Sequence, residues 1–124
     1  MPQYGNKQIK MIVLVTCSGI SNTGKLTTQA ALILMRQWPG RYQWTHVKKT
    51  ATSLGDEVGD ADLIVVIDGC HDCCATKKLA GTMFSPYHHI IATDLGIEKN
   101  GMADVQYADI ERLVTAVRIT FSGE

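Results

Sequence analysis

No apolar run in this chain approaches the roughly 20 residues that a membrane-spanning helix requires. No excess of either charge marks it, since Lys+Arg and Asp+Glu both number 12. The first absence argues against a membrane as partner. The second gives no support for nucleic acid or an anionic lipid surface, both of which draw on a basic surplus. The opening stretch, Met1-Pro-Gln-Tyr-Gly-Asn-Lys-Gln-Ile-Lys10, lacks the long apolar region and small-residue cleavage site of a secretory signal. A cytoplasmic location is therefore expected, and there a close cysteine pair points to metal binding or redox chemistry rather than a structural disulfide. No internal repeat, low-complexity tract or linker interrupts the 124 residues. Residues 11–124 are expected to form one domain, preceded by a polar extension over 1–10. A hydrophobic fraction of 45% is enough to fill one core.

Two runs are strongly apolar without strict alternation, Met11-Ile-Val-Leu-Val-Thr16 and Leu63-Ile-Val-Val-Ile-Asp-Gly69. Both read as parallel strands covered on both faces. Arg41–Val47 and Tyr87–Thr93 read as weaker strands. Lys25–Trp38 reads as a helix with Leu26, Ala30, Ile33, Leu34 and Trp38 on one face, ended by Pro39-Gly40. A second helix is expected to begin at Cys73, and a third spans Tyr107–Phe121 with Ile110, Leu113, Val114, Val117 and Phe121 buried. Residues 48–61 read as a short helix or an irregular turn, and 94–101 as a long loop. This alternation predicts a small α/β three-layer sandwich, Rossmann-like, with a four-stranded, mainly parallel sheet in the order 2-1-3-4. Such a sheet binds ligands outside the C-terminal ends of its strands.

All four cysteines are expected at that edge. Cys17 ends the first strand, and Cys70, Cys73 and Cys74 follow the third. Cys70-His-Asp-Cys73 has the spacing that lets two thiols grip one ion in a turn. A helix start beside them would favour thiolate, the form that binds metal. Cys17 would be a third ligand, and Cys74, His46 or His71 the fourth. A site with only three protein ligands and an open position would point to chemistry. His88 and His89, inside a strand, are read as structural.

Gly19-Ile-Ser-Asn-Thr-Gly-Lys25 matches the first seven positions of a P-loop, but Leu26 stands where the magnesium-binding hydroxyl belongs. Nucleotide hydrolysis is not expected. Gly19, Ser21, Asn22, Gly24 and Lys25 remain candidates to hold a small anion. A nucleophilic role for Cys17, as in small cysteine phosphatases, lacks the arginine that closes their phosphate loop. The first arginine after Cys17 is Arg36, well down the helix.

Three stretches together resemble the DGC-domain family. They are Val15-Thr-Cys-Ser-Gly-Ile-Ser-Asn-Thr-Gly-Lys-Leu-Thr-Thr-Gln-Ala30, Val66-Ile-Asp-Gly-Cys-His-Asp-Cys73 and Thr93-Asp-Leu-Gly-Ile-Glu-Lys-Asn100. The resemblance spans roughly residues 11 to 120. It implies a small bacterial or archaeal protein that binds zinc through four cysteines, and it carries no established activity. Cys17, Cys70 and Cys73 match the family's cysteines. The remaining one belongs near the end of the second strand, where this sequence reads Tyr42-Gln-Trp-Thr-His-Val47. His46 or Cys74 would take its place, or the site would keep three ligands. Asp94 and Lys99 match the third motif and would line a substrate pocket at the same edge. The expectation is one Zn(2+) per chain; the alternative is a thiol–disulfide redox protein using Cys70 and Cys73.

Overall fold

A computed structural model describes residues 11–17, 21–46 and 51–120; the expected extension over 1–10 lies outside them. The strands are β1 (Ile12–Thr16), β2 (Tyr42–His46), β3 (Leu63–Asp68) and β4 (His88–Ile91). All pair in parallel, in the order β2-β1-β3-β4, as expected. Every residue of β1 and β3 is buried, whereas β2 and β4 are partly exposed. The continuous apolar runs belong to the central strands and the weak patterns to the edges, because only a central strand of a covered sheet excludes water on both faces.

Among the described residues, four helices cover the sheet: α1 (Asn22–Gln37), α2 (Ala51–Val58), α3 (Cys74–Leu79) and α4 (Tyr107–Thr120). Alternate strand residues face opposite layers. Ile12, Leu14, Leu63, Val65, Ile67 and Ile90 pack with Leu26, Ala30, Leu34, Leu113 and Val117 of α1 and α4. Val13, Val15, Ile64 and Val66 pack with Leu54, Val58, Ala75 and Leu79 of α2 and α3. Each fully buried Leu or Ile contributes roughly 1.5–3 kcal/mol. This parity governs the site, because it decides which face each residue at the end of a strand reaches.

Several boundaries depart from the sequence expectation. Helix α1 begins at Asn22 rather than Lys25, because Ser21 is its N-cap and its hydroxyl accepts the Gly24 amide at 3.2 Å. Trp38 lies past the end of α1 and is 37% exposed, its ring beneath the Arg118 guanidinium at 4.8 Å. Helix α3 starts one residue late, because Cys73 adopts a left-handed backbone with φ 51°. Strand β4 stops at Ile91, where a single 3-10 turn, Ala92–Leu95, takes over and ends at Gly96 with φ 82°. The ambiguous stretch over 48–61 contains α2, and the expected core position Phe121 lies outside the described residues. Among the described residues, no helix is long and apolar enough to cross a membrane.

Candidate metal centre

Alternation along β3 carries Asp68 to the α3 side of the sheet, where it is 1% exposed. Its Oδ1 accepts the Ala75 amide at 2.7 Å. Its Oδ2 accepts the Thr76 amide at 3.3 Å, the Thr76 hydroxyl at 2.7 Å and the His89 ring at 2.8 Å. Cys73, the N-cap position of α3, makes no side-chain cap bond, so Asp68 caps this helix from the strand. Burying an unpaired carboxylate would cost several kcal/mol, which these four donors offset.

That arrangement corrects, at Cys73, the expectation that the helix start would favour thiolate in the CxxC pair. The amides expected to stabilise sulfur serve Asp68 instead. Burial pushes the Cys73 thiol above its ordinary range, and the Asp68 charge adds to this, with Lys77 pulling the other way. Burial also raises Cys74, followed by the charges of Cys17, Asp68, Asp72 and Cys70. Cys17 and Cys70 therefore both lie within electrostatic reach of Cys74.

Gly69 follows, and a side chain there would force the neighbouring backbone to shift. A Cβ would sit 2.8 Å from the Thr23 carbonyl carbon and 2.9 Å from its oxygen. The chain leaving β3 thus runs directly against the first turn of α1. Next, Cys70 to Cys73 fold into a turn closed by the Cys73 amide donating to the Cys70 carbonyl at 3.1 Å. This is the compact form a CxxC pair needs to share an ion.

The loop after β4 is tied to both neighbours. The Asn22 side chain donates to the Glu98 carbonyl at 2.8 Å and accepts the Asn100 amide at 2.7 Å. The Asn22 amide donates to the Gly101 carbonyl at 2.8 Å. So held, Lys99 donates to the Cys70 sulfur at 3.4 Å and lies 3.6 Å from Asp72. These partners raise the Lys99 pKa, the hydrogen bond to Cys70 most of all. Asp94 meets His71 at 2.5 Å. The two motif residues expected to line a pocket therefore face the CxxC turn directly.

The four cysteines are all free thiols at this edge. Cys17 is buried, Cys70 and Cys73 are half-buried, and Cys74 is exposed. The Cys17 sulfur lies 3.8 Å from the Thr27 hydroxyl. His46 is placed differently: its ring packs against Trp44 at 5.6 Å, and Trp44 bonds Thr16 on the α1/α4 side. It also sits two strands from the CxxC turn, about 10 Å in ladder spacings. Of the anion candidates, Gly19 lies outside the described residues. Ser21 caps α1, and the amides of Asn22 and Gly24 already have protein acceptors. Lys25 is exposed. Thr27, one place late for a P-loop, donates its hydroxyl to the Gly24 carbonyl at 2.8 Å.

Among the described residues, the ligand atoms of Asp68, Cys73 and His89 all lie within 4.8 Å of one another, a group able to hold a metal ion. Thiol, imidazole and carboxylate are the donors that zinc accepts, so the residues fit such an ion. Only Cys73 was expected from sequence; Asp68 and His89 were not. Asp68 carried one signal, a carboxylate ending a wholly apolar strand, where burial demands partners. His89 carried less, since its pairing opposite Val66 is a property of register.

A search of curated proteins finds no match, nor does a search of solved structures. The DGC domain model matches residues 13–117, most of the chain and every element from β1 to the last turn but one of α4. The Asp68-Gly69-Cys70 corner and the loops that converge on it are thus those of a family member, and the chain belongs to the DGC domain family.

Proposed function

We propose that this protein binds one zinc ion per chain at the C-terminal edge of its sheet, with thiolate ligands drawn from Cys17, Cys70, Cys73 and Cys74. The observation that carries the reading is the convergence of Cys73, Asp68 and His89 within 4.8 Å; the other three free thiols lie at the same sheet edge, outside that group. A tetrahedral ion satisfied by protein ligands would be structural. With one position open, zinc would supply a Lewis acid for a bound water or carbonyl. Lys99 suits a thiolate-rich centre, because its ammonium offsets negative charge at Cys70. A small anion at this edge would draw on Lys25 and Lys99, since the nearby amides are engaged.

Native mass spectrometry on protein purified under reducing conditions, with elemental analysis of the same sample, tests this. One zinc per chain, lost in Cys17→Ser and Cys70→Ser, is the expected result. Metal-free protein that takes up no zinc when offered it would overturn the reading. A thiol–disulfide cycle at Cys70 and Cys73 is the second reading, favoured by the Lys99 ammonium at the Cys70 sulfur. It predicts that Cys17→Ser leaves the cycle intact.

A further inference from the structure

Of the three groups that share the 4.8 Å cluster, Asp68 is the least free to bind a metal. Both of its oxygens are already engaged, by four hydrogen bonds in all, and it is 1% exposed. Ligation would forfeit the cap of α3. Its chemical consequence lies instead in the ring it holds. The His89 Nε2 has two neighbours at 2.8 Å, the Asp68 Oδ2 and the Thr76 hydroxyl. A carboxylate can only accept, and the Thr76 hydroxyl spends its hydrogen on Asp68. Toward His89 both neighbours are acceptors, so Nε2 carries the ring's hydrogen. Nδ1 keeps a lone pair and has no partner among the described residues. A carboxylate that fixes one imidazole nitrogen and leaves the other basic is the arrangement that orients metal-binding histidines.

We propose that His89 is the nitrogen ligand of the metal centre, binding through Nδ1 together with the cysteine thiolates, while Asp68 and Thr76 are positioning residues that hold its ring. The proposal rests on the metal-binding reading and names a ligand for it. His89 has the better placement among the histidines. It lies on β4, beside β3, whereas His46 is two strands away against Trp44. The similar pair of His71 with Asp94 is 70% and 55% exposed, so water competes for both groups, whereas Asp68 is sealed.

The test is nitrogen-15 NMR of the histidine rings in wild-type protein, metal-free and with one equivalent of zinc. It is paired with zinc competition against a chromophoric chelator in His89→Ala, His46→Ala and Asp68→Asn. The expected result is a zinc-induced shift of the His89 Nδ1 resonance with Nε2 still protonated. His89→Ala would lose at least about tenfold in zinc affinity, and Asp68→Asn about ten- to a hundredfold. His46→Ala would bind as wild type does. Zinc uptake with the His89 ring unmoved would overturn this inference and leave the metal reading standing. No uptake by the wild type would remove both. The NMR measurement uses the native chain, so it decides the matter even where a substitution impairs folding.

Discussion

Asp68, Gly69 and Cys70 each answer a different physical demand. Asp68 caps α3 and holds the His89 ring, Gly69 admits the first turn of α1, and Cys70 receives Lys99. Gly69→Ala tests the second demand. Its Cβ would press on the backbone of Thr23 and Gly24, which has no flexible end to yield. A loss of about 1–3 kcal/mol is expected in urea unfolding of the metal-free protein. Zinc affinity should fall too, because the first turn of α1 and the CxxC turn must separate. Gly40→Ala is the control. At φ 83° with nothing within 4 Å of a Cβ, it should cost about 1–2 kcal/mol of backbone strain and leave zinc affinity unchanged. Equal zinc binding by the two variants would mean that Gly69 serves the fold alone. Asp68→Ala should cost about 1–3 kcal/mol in the same assay, because it strands the Ala75 and Thr76 donors.

Elements were more legible than the contacts between them. The central strands announced themselves as apolar runs, and alternation of strand and helix gave the sheet order, since both are one-dimensional patterns. What stayed hidden depends on register and strand parity. Asp68 and His89 lie 21 residues apart and meet only because β4 pairs with β3 with His89 opposite Val66. His46 looked well placed because β2 ends at the same edge, but parity turns it toward Trp44. Asn22 was legible as a polar loop residue but not as the clasp that joins α1 to the loop over 98–101. Asn22→Ala should test that clasp. It removes two side-chain hydrogen bonds, to the Glu98 carbonyl and from the Asn100 amide, at about 1–3 kcal/mol in total. Hydrogen exchange at the Asn100 amide should accelerate while the β1 and β3 amides stay protected. Uniform acceleration across the sheet would instead make Asn22 part of the global fold rather than of a local latch.

Across the whole molecule, protonation and metal binding should pull stability in opposite directions. Cys73, Cys74, Lys99 and Tyr42 all hold their protons more tightly in the folded chain than their ordinary values imply. Burial is the leading cause for the cysteines and Tyr42, and the Cys70 contact is the leading cause for Lys99. The metal-free native state therefore binds more protons than the unfolded state in the alkaline range. Stability contributed by these groups is present below their ordinary values, near pH 8.5 for a thiol, and is lost as pH rises through the raised ones. Zinc reverses the thiol part of that balance, because each thiolate ligand must shed its proton before it binds. The zinc-induced rise in melting temperature should accordingly grow between about pH 6 and pH 8, while the metal-free protein loses stability from about pH 8 upward. Thermal unfolding of both forms across this range measures the two slopes. A zinc-induced rise that stays constant with pH would exclude thiols as ligands and leave only groups already deprotonated at neutrality.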